Sequence, residues 1–388
     1  MSGLTSSQLR RQLVDSLHLE VGVRDGPIAA AFLRVPREAF LPGHELADVY
    51  RDQAITTKQE AGVPVSSSSQ PGMMAAMLKQ LELRPGMRVL EIGAGTGYNA
   101  ALLQELVGDS GEVTSLEIDP EVAGWAKTRL TEVGYDRVQV IEVDGGGGWV
   151  AGAPYDRIEL TVGTADISSA WFDQLAPGGI LVVPLWISTY QICIAFEKRD
   201  RSLVSQSAVA CGFMRIRGQM AGADQYRVLL PNVMIATGSA APGDDLLRDL
   251  IAQTPRTQTL EGRNWHGFVL FMALHEPSML MLASTDAQVT GFSGGVFGVT
   301  DESDRSLCLF SSSIEGEGEA MLYSYGGERA HERLLTLVER WRASGEPDVG
   351  DVEIQSWLRA IVARHPADAV IRETDRWRYA FRFRHVAS

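Results

Sequence analysis

One segment, from Arg88 to Leu103 (RVLEIGAGTGYNAALL), constrains what this chain can fold into more than any other. The segment begins as a buried strand, passes through a turn that contains Gly93, Gly95 and Gly97, and continues as a helix. Glycine has no Cβ atom to block a close approach and accepts positive φ angles, and the first turn of a helix has unpaired N–H groups. The pattern therefore predicts a site where a ligand contacts bare backbone.

After this segment, strand patterns and helix patterns alternate along the chain. The strands predicted at Val113–Asp119 and Val138–Asp144 both end in acidic residues. Alternation of this kind is typical of the α/β class, with a mostly parallel sheet and helices on both faces. Ligands bind such sheets beyond the carboxyl ends of the strands, and Gly93, Glu117 and Asp144 all fall there.

The spacing of the glycines bears on the kind of ligand. Dinucleotide sites carry G-x-G-x-x-G, whereas here the turn reads G-A-G-T-G and its third glycine comes one position too early. This favours a nucleoside site, as in enzymes that use S-adenosylmethionine (SAM). Glu117 follows about twenty residues later, where a carboxylate can accept hydrogen bonds from ribose hydroxyls. We favour Glu117 over Asp119, which can instead cap the helix that begins at Pro120. Asp144 can contact a base edge or be a turn residue, and both interpretations stay open.

Length and charge restrict the possible functions. A chain of 388 residues favours two domains over one, and a net charge of −14 argues against a nucleic-acid partner. No apolar run reaches the length of a membrane span, and residues 1–17 lack the apolar core of a signal peptide. The three cysteines are scattered, and neither they nor the dispersed histidines form a metal-binding pattern. We therefore expect a reducing, cytoplasmic setting, with no membrane contact and no metal.

A polar segment before the glycine turn predicts the place of the second substrate. The segment from Tyr50 to Ser69 has little periodicity and ends in four serines, Ser66–Ser69. Pro71 favours a helix start, so the helix predicted to run to Leu83 presents its anion-stabilising N-terminus beside Ser69. A carboxylate substrate would suit this position, because it is already ionised and needs orientation more than a base. A flexible polar loop is the alternative interpretation of the serines.

The chain divides into three predicted parts. Residues 1–87 form N-terminal helices and the substrate-side segment, residues 88–230 a SAM-binding Rossmann-like core, and residues 231–388 an accessory α+β domain that recognises substrate. The last part offers short apolar runs, including FVLFMALH, that we interpret as strands, and one amphipathic helix at Glu328–Ala343. Its final segment alternates aromatic residues with arginines from Arg376 to Arg384. This alternation indicates either a binding face for an acidic peptide or a strand protected by charge.

From about Ala29 to Leu185 the chain resembles the protein-L-isoaspartate O-methyltransferase family. The ordered motifs are VPREAFLPG, SQP before a methionine-containing helix, LRPGMRVLEIGAGTGYNAALL, SLEIDPEVAGWA, VDGGGGW, YDRIELTVG and LAPGGILVVPL. The resemblance implies a class I SAM-dependent methyltransferase fold, with SAM as cofactor and S-adenosylhomocysteine as product. It implies a cofactor site around the glycine turn and the next two strand ends, made of Glu91, Gly93, Ala94, Gly95, Gly97, Tyr98, Glu117, Ile118, Asp144 and Gly145. It also implies a substrate site whose catalytic Ser69 contacts the substrate carboxylate, made of Ser68, Ser69, Gln70 and Pro71.

Two departures from the family pattern affect the expected substrate. Where the family has a segment like R-F-V-P-L that helps to bind the substrate backbone, this chain has CGFMRIRG at Cys211–Gly218. The chain also continues for over a third of its length beyond the point where repair enzymes of the family end. The extended form resembles bacterial methyltransferases that tailor ribosomally made peptides, such as lanthipeptides and graspetides.

We therefore expect a SAM-dependent carboxyl O-methyltransferase that acts on an aspartate side chain of a ribosomally made, modified peptide. The methyl ester would cyclise to a succinimide (aspartimide) and then open to isoaspartate or aspartate. The first alternative is the repair of L-isoaspartate in damaged proteins. An alternative of another class is a non-catalytic binding adaptor on a methyltransferase fold. The expected partner of either enzyme is a peptide or protein that carries an Asp or isoAsp carboxylate.

Overall fold

The computed structural model describes residues 4–23, 26–60, 62–222, 226–238, 240, 242–284, 292, 294–312, 317–361 and 364–384. The helices are α1 (Ser6–Val21), α2 (Pro27–Arg34), α3 (Leu46–Val49), α4 (Pro71–Leu81), α5 (Tyr98–Val107), α6 (Pro120–Glu132), α7 (Ser169–Gln174), α8 (Asp244–Ile251), α9 (Trp265–His275) and α10 (Arg329–Ala343). The strands are β1 (Ile55–Glu60), β2 (Val63–Ser68), β3 (Arg88–Ile92), β4 (Glu112–Glu117), β5 (Gln139–Glu142), β6 (Tyr155–Leu160), β7 (Leu175–Ile187), β8 (Tyr190–Arg199), β9 (Ser202–Ala210), β10 (Tyr226–Leu230), β11 (Val233–Thr237), β12 (Arg256–Gly262), β13 (Leu280–Ser284), β14 (Gly294–Asp301), β15 (Ser306–Ser311), β16 (Gly318–Gly326), β17 (Val352–Leu358), β18 (Val370–Glu373) and β19 (Trp377–Phe383). Within the described residues, no helix is long and apolar enough to cross a membrane.

The helix starts follow local sequence signals. A capping box opens α1, and prolines occupy the first turn of α2, α4 and α6, where a missing N–H costs nothing. The N-terminal helices predicted within residues 1–87 are confirmed as α1 and α2. The helix predicted from Pro71 to Leu83 is confirmed as α4, with a small difference at its end. Helix α4 stops two residues early because Glu82 turns into the left-handed region, with φ +48°.

The larger sheet has ten strands in the order β18-β19-β17-β9-β8-β7-β6-β3-β4-β5. Neighbouring strands are parallel from β7 to β5 and antiparallel from β18 to β7. Helices α4, α5 and α6 pack in the hydrophobic core on one face, and α7 and α9 pack in the core on the other. This arrangement confirms the predicted α/β class.

Strand β3 sits in the middle of the parallel part and sets the position of the glycine turn. Residues 89–92 are at most 3% exposed, which is typical of a parallel strand covered by helices on both faces. Because β3 pairs in parallel with both β4 and β6, the carboxyl ends of three strands meet at one edge. The turn after β3, Glu117 at the end of β4 and Thr161 after β6 therefore lie side by side.

A β-hairpin stands where the sequence predicted an irregular polar segment. Strands β1 and β2 pair antiparallel between residues 55 and 68. Serine and threonine side chains interrupt the apolar alternation by which strands are identified in sequence, so this pairing had no clear local signal. The hairpin is tied to the start of α6, because the Lys58 ammonium lies 2.7 Å from the Asp119 carboxylate and 2.9 Å from that of Glu121.

The second sheet is antiparallel, in the order β10-β11-β13-β14-β15-β16-β12. One strand predicted in this region is wrong, because FVLFMALH is the larger part of helix α9. Phe268, Leu270 and Met272 are all buried, so the helix is apolar all round and lies in the core shared by the two sheets. A short, wholly apolar run does not distinguish a buried helix from a buried strand. The amphipathic helix predicted at Glu328–Ala343 is confirmed as α10.

The end of the chain does not follow the division predicted at residue 230. Strand β17 pairs with β9, and β19 pairs with β17, so residues 352–383 extend the larger sheet. The second sheet is formed by β10 to β16 alone. The segment 231–388 therefore contributes to both sheets and is not one separate unit. The sequence could not indicate this, because pairing between strands about 150 residues apart leaves no local periodicity.

The predicted alternation at residues 376–384 is present in β19. The aromatic side chains of the strand are buried or half-buried, whereas its arginines are paired with carboxylates of the protein itself. Arg378 lies 2.7 Å from Glu373, and Arg384 lies 3.0 Å from Glu353. These pairs favour the interpretation as a strand protected by charge over a binding face for an acidic peptide.

We expect a chain that ends at residue 350 to lose its cooperative thermal unfolding transition. The truncation removes the buried rings of Trp377, Tyr379 and Phe381, and the loss of a buried aromatic ring costs about 3–5 kcal/mol. Three such losses together, about 9–15 kcal/mol, are comparable to the stability of a typical protein, about 5–15 kcal/mol. Circular dichroism against temperature measures the outcome, with a chain that ends at residue 384 as the control. A sharp transition at an unchanged temperature in the shorter chain would contradict the prediction.

Candidate active site

A cleft of about 520 Å³ opens at the carboxyl ends of β3, β4 and β6. The glycine turn and the end of β4 form one side of the cleft, and β2 with the residues after it forms another. The segment 211–217, which follows β9, completes the lining. Small-molecule sites in proteins are typically about 300–1,000 Å³, so the cleft has the size of a ligand site.

The glycine turn brings three parts of the backbone together. The φ angle is +103° at Gly93 and +52° at Gly95. A Cβ atom on Gly93 would lie 2.5 Å from Thr161 Oγ1, and one on Gly95 would lie 3.3 Å from the backbone oxygen of Ser67. A side chain at Gly93 would therefore collide with the residue after β6, and one at Gly95 would press against the backbone of β2. The glycines let the turn pack closely against both, and the turn itself lines the cleft.

Glu117 is held at the end of β4 with its carboxylate beside the turn. Its two oxygens accept hydrogen bonds from the backbone N–H of Gly95 at 3.0 Å and of Asp119 at 3.1 Å. Asp119 caps α6 by accepting from the N–H groups of Glu121 and Val122. The structure thus puts Glu117 in the cleft lining and gives Asp119 the capping role, which agrees with the preference drawn from the sequence.

Most of the predicted site residues line the cleft, and four do not. Those in the lining are Gly93, Ala94, Gly95, Tyr98, Glu117, Ile118, Gly145, Ser68, Ser69 and Gln70. Gly97 caps α5 and packs against Leu130, and Pro71 is the first residue of α4. Glu91 lies beneath the turn, fully buried. Asp144 accepts hydrogen bonds from the N–H groups of Gly146 at 2.8 Å and Gln219 at 2.7 Å, as a turn residue that positions Gly145.

Two buried carboxyl groups lie under the glycine turn. Asn99, at the start of α5, donates hydrogen bonds of 2.8 Å to both Glu91 on β3 and Glu159 on β6. Burial raises the pKa of Glu91 to about 7, against the opposing hydrogen bonds from Ser115 and Asn99. Burial and the nearby Glu91 raise the pKa of Glu159 to about 8. Asn99 itself lines the cleft, so two acids lie directly beneath the cleft, of which Glu159 is largely protonated at neutral pH and Glu91 about half protonated.

The N-terminus of α4 is less open to a substrate anion than the sequence suggested. The Asp52 carboxylate already accepts hydrogen bonds from the N–H of Gly72 at 2.6 Å and from Gln70 Nε2 at 2.8 Å. Ser69 immediately precedes these residues and lines the cleft. Ser68 Oγ is buried without a hydrogen-bond partner. Serine side chains of the lining, more than the helix N–H groups that Asp52 occupies, are therefore the polar groups left for a carboxylate at this end.

Arg37 is a buried cation that the sequence reasoning missed. The side chain is 0% exposed, and its Nη2 donates to the backbone oxygen of Ser69 at 3.1 Å. Its guanidinium carbon lies 5.3 Å from the centroid of the Tyr98 ring, and burial lowers the pKa of the group. A charge in such surroundings acts over several ångströms because water does not screen it. The signal was the VPREAFLPG motif, which places an arginine and a glutamate in a segment otherwise made of apolar residues, proline and glycine.

The segment 211–217, where the chain departs from the family pattern, lies along the cleft and is called the strap below. Gly163 N donates to Met214 O at 2.7 Å, and Ile216 N donates to Gly163 O at 2.8 Å. The strap carries Arg215 and Arg217 into the lining. Tyr190 at the start of β8 and His266 on α9 also line the cleft. His266 was missed because its helix was interpreted as a strand and as part of a separate domain.

The residues of the cleft fit a nucleoside cofactor such as SAM. Leu116 and Ile118, the neighbours of Glu117 in the chain, are apolar, and all three line the cleft together with Gly93 and Gly95. Within the described residues, no group of three or more His, Cys, Asp or Glu side chains could hold a metal ion.

We expect Glu159→Gln to stabilise the protein above pH 8 by up to about 5 kcal/mol, because the pKa of Glu159 rises from 4.5 to about 8 and each unit corresponds to about 1.4 kcal/mol. Near pH 5 its stability should change little. The pKa of Glu159 is raised on folding, so its contribution is fully present below the pKa of the unfolded chain and is lost as the pH rises through about 8. Glutamine keeps the shape and cannot ionise. Urea unfolding at pH 5, 7 and 9 measures the difference. Glu142→Gln, at an exposed position on β5, is the control, and a pH-independent effect of Glu159→Gln would refute the assignment.

Comparison with known proteins agrees with this geometry. Residues 8–221 match the sequence model of the protein-L-isoaspartate(D-aspartate) O-methyltransferase (PCMT) family. A protein-L-isoaspartate O-methyltransferase of Hyperthermus butylicus is 38% identical over 221 residues, which are 55% of this chain and 90% of the relative. One of Methanosarcina mazei is 41% identical over 193 residues, which are 50% of this chain and 76% of the relative.

A solved structure named protein-L-isoaspartate O-methyltransferase is similar over a longer range. Its identity to this chain is 27% and its TM-score 0.54, and the match covers 89% of this chain and 96% of that one. The structural likeness therefore continues past residue 221, where the family match ends. The family, the enzyme class and the cofactor predicted from the sequence are confirmed: the chain belongs to the PCMT family of SAM-dependent methyltransferases.

Proposed function

We propose that this protein transfers a methyl group from SAM to the free α-carboxylate of L-isoaspartyl residues in peptides or proteins. The observation that carries the proposal is the joint occurrence, in one cleft, of the glycine turn with Glu117 and the Ser68–Ser69 hydroxyls. The relatives named above are called protein-L-isoaspartate O-methyltransferases, which supports the isoaspartyl residue as the acceptor.

In our proposal, few protein groups are needed to bind and orient the cofactor. SAM, when bound, supplies an electrophilic methyl group on a sulfonium and a neutral thioether as leaving group. Glu117 is oriented by two backbone N–H groups and keeps lone pairs for the ribose hydroxyls. Gly93 and Gly95 leave the backbone bare beside it. These residues bind and orient the cofactor, and no proton has to move at this end.

The acceptor end has to hold a carboxylate in line with the methyl group. A carboxylic acid with a pKa near 4 is ionised at neutral pH, so it attacks without a general base. The contribution of the protein is then mainly orientation. In our proposal the hydroxyl of Ser69 donates a hydrogen bond to the carboxylate, with the buried charge of Arg37 behind the Ser69 backbone. The positive charge stabilises the anion in its place without touching it.

The methyl ester then reacts without further help from the protein. The following backbone amide attacks the ester carbonyl, methanol leaves, and a succinimide forms. Hydrolysis of the ring gives aspartyl and isoaspartyl products. Repeated turnover would convert isoaspartate to aspartate, which is the repair role.

The aspartate side chain of a ribosomally made peptide remains the second candidate for the acceptor. The observation in its favour is that His266, outside the matched residues 8–221, lines the cleft. The length of the chain no longer separates the two, because the isoaspartate enzyme of known structure matches 89% of it. The names of the relatives favour the isoaspartyl substrate, which we therefore put first.

We expect steady methyl transfer to a short synthetic peptide that contains one L-isoaspartyl residue, and at least about a hundredfold less to the same peptide with aspartate. A difference of that size corresponds to about 2.7 kcal/mol in transition-state binding. Transfer of radiolabelled methyl from SAM, followed by release of methanol, measures both rates. Equal or faster transfer to the aspartyl peptide would favour the peptide-tailoring role instead.

We expect Ser69→Ala to lower kcat/KM for the isoaspartyl peptide by about ten- to a hundredfold, since a hydrogen bond to a charged group contributes about 1.5–3 kcal/mol. SAM binding, measured by calorimetry, should not change. Gly95→Val, in contrast, should abolish SAM binding, because the valine side chain enters the space beside Ser67 O. Should Ser68→Ala reduce transfer while Ser69→Ala leaves it intact, the contact belongs to Ser68.

A further inference from the structure

The two acids beneath the glycine turn form one cluster with Asn99. The Nδ2 atom of Asn99 donates hydrogen bonds of 2.8 Å to Oε1 of Glu91 and to Oε2 of Glu159, so a single amide joins the two carboxyl groups. Both acids are 0% exposed. Ser115 Oγ donates to the other oxygen of Glu91. The two carboxyl groups are therefore neighbours in a space that bulk water does not reach.

The hydrogen bonds of this cluster indicate that it holds at least one proton. Glu159 Oε1 is buried and has no hydrogen-bond partner among the described residues, whereas an ionised carboxylate accepts hydrogen bonds at both oxygens. Two ionised carboxylates that share one amide would also repel each other without water between them. The geometry thus favours a cluster whose charge is zero or −1.

The groups around the cluster make its protonation sensitive to charge in the cleft. Burial is the main cause of the raised pKa of Glu91, and the negative charge of Glu117, which lines the cleft, adds to it. The Cys193 thiol on β8 interacts with Glu159, but burial raises its pKa well above the usual range, so the thiol stays neutral. In the described part of the chain, the groups that act on the two acids include no cation. Because a negative charge in the cleft raises the pKa of Glu91, a positive charge there lowers it.

The cluster lies next to residues of the cleft lining. Asn99 itself belongs to the lining. Gly93 comes two residues after Glu91 and also lines the cleft. Thr161 does the same two residues after Glu159. A charge bound against these residues therefore acts on the cluster through protein, which screens it less than water does.

The cofactor and its product differ in charge at one atom. SAM carries a positive sulfonium, whereas S-adenosylhomocysteine carries a neutral thioether in its place. The two molecules have the same hydrogen-bonding groups on the ribose, the base and the amino-acid part. Residues such as Glu117, which is positioned to bind these shared groups, therefore do not distinguish the two molecules. A group that responds to charge does.

We propose that Glu91, Asn99 and Glu159 form a proton-linked charge sensor, which releases a proton to the solvent when SAM binds and keeps it when S-adenosylhomocysteine binds. The negative charge that remains on the cluster stabilises the sulfonium, so the cofactor binds more tightly than its product. Once the positive charge is lost by methyl transfer, the cluster takes a proton back from the solvent and the product dissociates more readily. The inference concerns the cofactor alone and does not depend on which carboxylate accepts the methyl group.

The test counts the protons that are released on binding, with no methyl acceptor present. Titration calorimetry in buffers of different ionisation enthalpy gives this number, and at pH 6.5 the α-amino groups of both ligands remain protonated. The pKa of Glu91 is about 7, and its fall by about one unit on binding releases about half a proton per SAM at this pH. For S-adenosylhomocysteine we expect less than about 0.1 proton.

The same linkage predicts how the two affinities change with pH. Because SAM binding releases a proton, it becomes tighter as the pH rises through the pKa of the cluster. We expect the Kd for S-adenosylhomocysteine, divided by the Kd for SAM, to rise about fivefold between pH 5.5 and pH 7.5.

Glutamine variants assign the effect to the cluster. The double variant Glu91→Gln/Glu159→Gln keeps the shape of both side chains and cannot ionise, so we expect both ligands to release less than about 0.1 proton. Each single variant should give an intermediate release with SAM. Glu142→Gln, at an exposed position on β5, is the matched control and should keep the full difference. Thermal unfolding checks that each variant folds, and the comparison of the two ligands in the unmodified protein needs no variant.

Two results would overturn the charge sensor. One is equal proton release with SAM and with S-adenosylhomocysteine in the unmodified protein. The other is an unchanged difference between the two ligands in the folded glutamine variants. Neither measurement involves an acceptor, so absence of methyl transfer to the isoaspartyl peptide would reject the proposed function and leave the sensor standing. Methyl transfer without the difference in proton release would do the reverse.

Discussion

The conformation of the turn between β3 and α5 is the constraint on which the rest of the cleft depends. Gly93 and Gly95 have φ angles of +103° and +52°, and the space that their missing side chains leave is bordered by Thr161 and by Ser67 O. The Glu117 carboxylate is held by a hydrogen bond from Gly95 N. The cofactor side, the end of β6 and the β1–β2 hairpin are thus positioned by one turn. A change of a few tenths of an ångström at the turn would move all of them relative to one another.

The packing beneath this turn depends on the protonation of two buried acids, Glu91 and Glu159. An ionised carboxylate without water is unfavourable, and two neighbouring ones are more so. Here Glu91 and Glu159 share Asn99 as a donor, so the arrangement is stable while they remain largely protonated. Asn99 is also part of the cleft lining. The shape of the cleft floor is therefore best defined at neutral or slightly acidic pH, where the carboxyl groups do not repel each other.

Features that depend on local chemistry could be predicted from the sequence, and those that depend on distant pairing could not. Pro71 and Pro120 predicted the starts of α4 and α6, and the glycine spacing with Glu117 predicted residues that lie together in the cleft lining. Helix α9 was taken for a strand because its apolar residues have no period. The pairing of β17–β19 with the larger sheet could not be predicted, because pairing between strands that are far apart in the chain leaves no sequence pattern. Arg37 and His266 were missed for the same reason, since what they contact is set by tertiary structure.

The protein has a net charge of −14 and yet, in our proposal, binds a substrate with a negatively charged carboxylate. At physiological salt, exposed charges more than about 8 Å away are largely screened, so the overall charge mainly slows the approach of an anionic substrate. Binding is decided by groups in contact with it. Near Ser69 the buried Arg37 acts through the backbone without direct contact. At the strap, the Arg215 guanidinium lies between the rings of Trp186 and Tyr226. A cofactor with a positive sulfonium and a substrate with a negative carboxylate can therefore occupy one cleft, because its lining contains both the Glu117 carboxylate and Ser69, behind whose backbone Arg37 lies.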